Sequence, residues 1–354
     1  MKRRYFLLIF IALVFSAAYK IETGENVPKI LLWNNVLIKS SPTNGSITLY
    51  NVNNPSNPSE VSEILIRANG DVAIKYRYLY ADSFHDLITY DLSDISSPTA
   101  IDTIKNVFKT YYDPWMGGGV MGTTTGCLGC EQTMVTDAAP GATAGSLSRF
   151  AIVDDYLYCI DQNTLHLLDI SNPAKPKKLN DIYINWNVET LYPNGDYLFV
   201  GSRNGMYIFS IEDRANPVQV SEFFHLTSCD PVFVEDSAAY VTLREGTVCQ
   251  GFLNELDIID ISDIETPQLT NAVDMTYPYG LSVKNKIAYI CEGSNGLTIL
   301  DASNPNSPDT LSRYKDGTFF DAVLSDTLLY ITGENGISIL SVANPSQPKL
   351  LNKI

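Results

Sequence analysis

Short apolar runs recur along the chain, and each ends in a polar stretch closed by proline. In MYIFSI, Met206, Ile208 and Ser210 fall on one side, and Tyr207, Phe209 and Ile211 on the other. A two-residue period carried by β-branched and aromatic side chains predicts a strand. Both sides are apolar, so the strand is expected between other sheets. Proline fixes φ and lacks an N–H, which ends the strand, while Asn and Asp side chains cap the turn.

Seven copies of this unit are present: ITLYNVNNPSNP, LITYDLSDISSP, LHLLDISNPAKP, MYIFSIEDRANP, LDIIDISDIETP, LTILDASNPNSP and ISILSVANPSQP. Each carries one polar residue in mid-motif: Asn51, Asp91, Asp169, Ser210, Asp260, Asp301 or Ser341. A metal site is one reading of these residues, and turn capping is the favoured one. The closing prolines, Pro58, Pro98, Pro176, Pro217, Pro267, Pro308 and Pro348, are separated by 40, 78, 41, 50, 41 and 40 residues. The period is therefore about 40, with one insertion of about 38 residues and one of about 10.

Within the last period, DAVLS, LLYIT, ISILSV and KLLNKI read as four strands separated by turns. No helical period appears after the N-terminal segment. Four short strands per ~40 residues is the size of a propeller blade. The expected fold is all-β: a single seven-bladed β-propeller over 19–354, with four-stranded blades of about 40 residues. The first unit opens on ILLWNN and the last closes on KLLNKI, so the ring is expected to close without strand exchange.

The segments DISNPAKP and DASNPNSP, with the strands YLYCID and AYICEG before them, resemble the LVIVD repeat of secreted bacterial proteins. The resemblance runs from about Val27 to Ile354. SDISSP, EDRANP and SDIETP depart from the motif. The resemblance implies a β-propeller. The family has mostly no assigned activity, so it implies little about function.

Residues 1–18 read as a signal peptide. Lys2, Arg3 and Arg4 precede an apolar run from Tyr5 to Phe15, and Ser16, Ala17 and Ala18 follow. An uncut anchor is the alternative, but the run is short of the ~20 residues a span needs. Cleavage after Ala18 removes three cations, leaving 21 basic against 40 acidic side chains, a balance of −19. That surface repels phosphate backbones, so nucleic acid is not an expected partner. The expected location is periplasmic, cell-surface or extracellular, and a cleaved chain would not be integral to the membrane.

In a propeller blade, strands A to D run from the axis outward. D–A and B–C connections then share one face, and A–B and C–D connections share the other. The insertion at about 106–145 is a D–A connection, and the one at about 244–253 is B–C. Both are expected on one face, opposite the prolines. Long loops on a rigid scaffold are where binding concentrates, although neutral drift also inserts residues. Tyr111, Tyr112, Trp115, Met116 and Phe252 lie in these insertions. Trp115 and Met116 are the leading contact candidates.

At the entrances of the A strands stand Asp71, Arg149, Glu189, Asp230 and Asp321, with a register uncertainty of about one residue. They form a candidate polar mouth, or simply a solvated channel; Arg149, Glu189, Asp230 and Asp321 are carried forward as binding candidates. No G-x-S-x-G, H-E-x-x-H or EF-hand loop is present, only three histidines occur, and nothing points to a cofactor or metal. The expected function is an exported non-catalytic scaffold that recognises a protein or glycan through the insertion-bearing face. The alternative is a hydrolase or lyase with its site at the channel mouth.

Cys127 and Cys130 form GCLGC, which suits half a zinc site, a redox pair or a local disulfide; the disulfide is favoured because further zinc ligands are scarce. Cys159 and Cys291 are expected at the ends of B strands of different blades, as buried thiols. Cys229, before strand A of the fifth unit, and Cys249, in its B–C insertion, share a face and are expected to pair in an oxidising compartment. Closing a loop of that size stabilises by roughly 3 kcal/mol. Non-reducing peptide mapping of exported protein should recover Cys229 linked to Cys249; two free thiols there would refute the pairing.

Overall fold

A computed structural model describes residues 28–42, 44–108, 142–144, 146–184, 188–202, 204–224, 231–245 and 253–354. The strands form seven antiparallel sheets at 29–65, 72–104, 150–183, 188–224, 232–274, 281–314 and 319–353. These are blades 1 to 7, each with four strands in sequence order and blade 1 with one more, and with no helix among the described residues. Every innermost strand touches the innermost strands of both neighbouring blades, which closes the ring. The expected seven-bladed propeller is therefore observed. The signal peptide expected at residues 1–18 lies outside the described residues.

The repeated turn does three jobs. First, the mid-motif side chain caps it: Asp91, Asp169, Asp260 and Asp301 each accept the N–H two residues on, at 2.8 Å. Asn51 does the same at 2.9 Å and Ser210 at 3.4 Å. The hydrogen bonds from Ser303 hold the Asp301 carboxyl below the usual carboxylate range. Second, the residue after the cap donates its N–H to the A–B turn of its own blade, from Val52 N to Asn35 O through Val342 N to Thr327 O, in all seven copies. Third, strand D starts directly after the closing proline in every blade, at Ser59, Thr99, Lys177, Val218, Gln268, Asp309 and Lys349. Proline has no N–H to offer the ladder, so pairing begins one residue later.

Neighbouring blades are locked through the same turn. The hydroxyl of Tyr80 in blade 2 donates to Pro173 O in blade 3 at 2.9 Å, and Tyr158 in blade 3 donates to Arg214 O in blade 4 at 2.8 Å. Elsewhere a strand D side chain reaches the aligned carbonyl: Ser62 to Ile95 at 2.5 Å, Ser221 to Ile264, and Ser312 to Pro345 at 2.7 Å. Asn352 of blade 7 reaches Ser56 of blade 1 at 3.1 Å. Burial raises the Tyr80 and Tyr158 hydroxyls well above the ordinary tyrosine range, so both remain donors.

Two features differ from expectation. Blade 1 has a fifth strand, Ala142–Ala144, paired antiparallel with Lys29–Trp33 on the axial side. Its register sets Ala142 opposite Trp33 and Ala144 opposite Leu31, so it runs from the A–B end of the channel toward the D–A end. The end of the long insertion therefore occupies the channel, not the face where the insertion was expected to sit. The strand also contacts the innermost strand of blade 7. Cys159 and Cys291 are buried free thiols, as expected, although Cys159 lies inside its strand (Tyr156–Asp161) rather than at its end.

Loss of one inter-blade hydrogen bond costs about 1 kcal/mol, somewhat more where a buried carbonyl is left unpaired. Tyr80→Phe and Tyr158→Phe should each lower stability by about that amount in equilibrium urea unfolding, with secondary structure retained. Tyr240→Phe, for which no inter-blade bond is seen among the described residues, should cost less.

Candidate functional site

Strand registers align Lys29, Asp71, Arg149, Thr190, Pro231, Gly280 and Asp321 at the D–A entrance of the seven A strands. Asp71, Arg149 and Asp321 thus stand where the sequence placed them. Glu189 and Asp230 are one residue early: Thr190 takes the aligned place in blade 4, and Pro231 takes it in blade 5. Asp230 lies outside the described residues, as do Trp115, Met116, Tyr111, Tyr112 and Phe252 and the cysteines 127, 130, 229 and 249.

This ring is not a solvated mouth. Lys29, Asp71, Glu189 and Asp321 are all buried. Residues 146–148 cross above them. Ser146 Oγ accepts Leu281 N of blade 6 at 2.8 Å, and Ser148 O accepts Leu191 N of blade 4 at 2.7 Å. Ser148 Oγ donates to Asp71 Oδ2 of blade 2 at 2.7 Å. A Cβ on Gly280 would lie 2.7 Å from Leu147 Cδ1 and 2.2 Å from Asp321 Oδ1, so any larger residue would have to push these side chains aside.

A charged network fills the space between blades 1, 2 and 3. Asp71 Oδ2 accepts Arg149 N at 2.7 Å, and Lys29 Nζ approaches it at 3.6 Å. Arg149 Nη2 donates to Asp82 Oδ2 at 2.8 Å. The other Asp82 oxygen accepts Gly70 N, Asp71 N and Asn69 Nδ2 at 2.7–2.8 Å. Burial pushes the Asp82 carboxyl up, while Arg149 and these N–H donors pull it back toward the ionised form. Arg149 keeps about a quarter of its side chain (28%) exposed. Among the described binding candidates, Arg149 retains solvent access, and its charge is already engaged.

The two insertions leave from built anchors. At the first, Phe108 N donates to His85 O at 3.0 Å, and the Phe108 ring stacks on Phe150 and meets His166 edge-on. His166 is fully buried, and its Nδ1 lies 2.7 Å from Asp181 Oδ1. Burial lowers its pKa against the pull of Asp181, so the ring is neutral and carries its proton on Nδ1. At the second, Asn254 Oδ1 accepts Glu245 N at 3.1 Å. Arg244 lies over Tyr279 at 3.9 Å and Tyr277 at 5.4 Å from the ring centres. Tyr279 packs edge-on against Phe320. The sequence reading missed Asp82 and the Arg244–Tyr277–Tyr279 stack. The only signal for Asp82 is an acid at the B-strand position where blade 3 has Ile160.

The LVIVD repeat profile matches residues 67–105, 144–181, 237–275, 279–316 and 319–354, more than half of the chain. The chain belongs to the LVIVD repeat family. Its units 1 and 4 fall outside the matched segments. No curated protein matches it in sequence. Several solved structures share the fold of this LVIVD protein. A Lactobacillus plantarum protein is 9% identical, with a TM-score of 0.67 over 92% of this chain and 96% of the other. The periplasmic gluconolactonase PpgL of Pseudomonas aeruginosa is 11% identical, with a TM-score of 0.65 over 92% and 96%. BamB from Moraxella catarrhalis is 9% identical, with a TM-score of 0.55 over 86% and 81%. At these identities the likeness is one of fold alone.

Removing the Arg149 cation leaves Asp82 buried without its counter-charge. Arg149→Met should destabilise the protein by about 2 kcal/mol, below the 3–5 of a fully buried pair because the guanidinium is partly wet. The double variant with Asp82→Asn should cost less than the sum of the two single changes in denaturant unfolding. Strict additivity would show that the pair is not coupled.

Proposed function

We propose that this LVIVD protein is an exported, non-catalytic binding scaffold. In this reading it is periplasmic, cell-surface or extracellular. It recognises a protein or glycan through its two insertions. The carrying observation is that both insertions start from side chains built into the rigid ring: Phe108 against His85, Phe150 and His166, and Arg244 against Tyr277 and Tyr279. The long one is also pinned at its other end by the strand Ala142–Ala144. Pinning both ends reduces the ordering entropy that a loop loses on binding a partner.

Burial of Asp71, Glu189 and Asp321 under residues 146–148 weighs against a hydrolase or lyase site at the channel mouth. Likeness to a gluconolactonase fold adds nothing to that alternative, since propellers host many activities. Trp115 and Met116 are the proposed contact residues, and the four cysteines 127, 130, 229 and 249 are proposed to brace the loops.

The test removes residues 112–138 behind a short Gly-Ser bridge, sparing Phe108 and Ala142–Ala144, alongside Trp115→Ala. Both variants should keep the circular dichroism spectrum and melting temperature of the parent. Both should lose the partners, or the arrayed glycans, that the parent captures from envelope extract. A folded deletion that captures the same set as the parent would overturn the reading.

A further inference from the structure

The face that carries the proline turns holds a second feature, at the junction of blades 4 and 5. At four junctions, charged groups tie the A–B turns of neighbouring blades. Lys75 Nζ of blade 2 meets Asp155 Oδ1 of blade 3 at 2.5 Å. Arg214, from the proline turn of blade 4, spans Asp154 Oδ2 of blade 3 at 2.9 Å and Asp196 Oδ1 of its own blade at 2.8 Å. Glu235 of blade 5 accepts the N–H groups of Asn285 and Lys286 of blade 6, both at 2.7 Å. Lys284 of blade 6 faces Asp326 of blade 7 at 3.6 Å. Where blade 1 meets blade 2, Trp33 packs against the core in that place. Where blade 7 meets blade 1, the position is Ser325.

Between blades 4 and 5 no such tie exists among the described residues. Ile264 stands where blade 4 has Arg214. Gly195 and Ser237 stand where Asp154 and Asp196 hold the guanidinium. The tyrosine that locks the two preceding junctions is Phe199 here, without a hydroxyl. A cleft of about 590 Å³ opens in their place. Tyr197, Phe199 and Ile264 wall it, and Asp236, Asp263 and Glu265 line it as well. Asp263 is occupied by its own turn, accepting Glu265 N at 3.1 Å and Thr266 Oγ1 at 2.8 Å. Asp236 is exposed, and no hydrogen bond or ion pair ties it among the described residues.

We infer that this cleft takes the guanidinium of an arginine side chain presented by a partner protein. One junction earlier the chain's own Arg214 fills the aligned place between Asp154 and Asp196; here those two positions are Gly195 and Ser237, so Asp236 and Glu265 would supply the charge instead. The half-buried Tyr197 ring beside Ile264, with carboxylates at the rim, suits a planar, weakly hydrated cation better than a compact ammonium. The excess of 40 acidic over 24 basic side chains favours the approach of such a group. The contact is exposed, so it is weak and salt-sensitive by itself and serves as one contact in a larger interface.

The experiment uses the full-length purified protein and a fluorescein-labelled Gly-Arg-Gly peptide, read by anisotropy at low salt. The citrulline peptide, equal in shape but neutral, is the control. Arginine should bind about tenfold more tightly than citrulline, as expected for about 1.4 kcal/mol. Ile264→Arg supplies the cation from within and should abolish binding. Asp236→Asn should weaken binding about threefold, one exposed charge contact. Glu63→Gln, a charge removed elsewhere, should leave it unchanged. If Ile264→Arg misfolds, the Asp236→Asn and Glu63→Gln pair still decides. Equal binding of the two peptides, no binding, full binding by Ile264→Arg, or equal losses from Asp236→Asn and Glu63→Gln would each overturn the proposal. So would calcium or magnesium alone displacing the peptide in an Asp236-dependent way, which would make the cleft a metal site.

Discussion

A backbone carbonyl in the proline turn sets the angle between blades. At five of the seven junctions it accepts a hydrogen bond from the preceding blade, from Ser62, Tyr80, Tyr158, Ser221 or Ser312. Blade faces are otherwise joined by apolar packing, which is strong but has no direction. A face of Leu, Ile and Val slides with little penalty, whereas a hydrogen bond into a fixed turn sets the angle of each blade. That explains why the turn, rather than the strand, is the most repetitive part of the chain. Asn or Asp caps shape it, proline ends its pairing, and both act to aim the same carbonyl.

The donor is interchangeable because the acceptor is backbone. A tyrosine from strand B and a serine or asparagine from strand D reach nearly the same point from different directions. Blade 4 has Phe199 where blades 2 and 3 have the tyrosine, and its bond to the next turn comes from Ser221. Substitution at one donor position is therefore tolerated when the other remains. The charged ties between A–B turns vary more freely, with Lys75, Arg214, Glu235 and Lys284 each solving the problem differently.

The architecture was legible because period and turn chemistry are local properties. The proline spacing gives the blade count, and the alternation gives the strands. The registers of Asp71, Arg149 and Asp321 followed from counting back along each A strand. Glu189 fell one residue early: the A–B turn at 195–196, counted back as in the other blades, reaches Thr190. Burial of the ring was not legible, since it depends on Ser146, Leu147 and Ser148 arriving from an insertion that has no repeat to align with. Asp82 was overlooked for a related reason. Its partner Arg149 is 67 residues away in sequence, and nothing local marks the two as neighbours.

The inserted strand also bears on how the ring closes. Without strand exchange, the seam between blades 7 and 1 joins the two ends of the chain through side chains alone. Ile30, Leu32, Val323, Tyr330 and Ile337 pack there, and Asn352 bonds to Ser56. Ala142–Ala144 adds to this: it pairs with the innermost strand of blade 1 and contacts the innermost strand of blade 7. A segment from between blades 2 and 3 therefore bridges the seam from inside the channel. Closure by such a bridge lets both terminal blades keep consecutive strands, since main-chain pairing across the axis supplements what strand exchange would otherwise provide. The long insertion thus divides by position. Its last described residues belong to the scaffold, so the proposed recognition role falls to the part before Ala142.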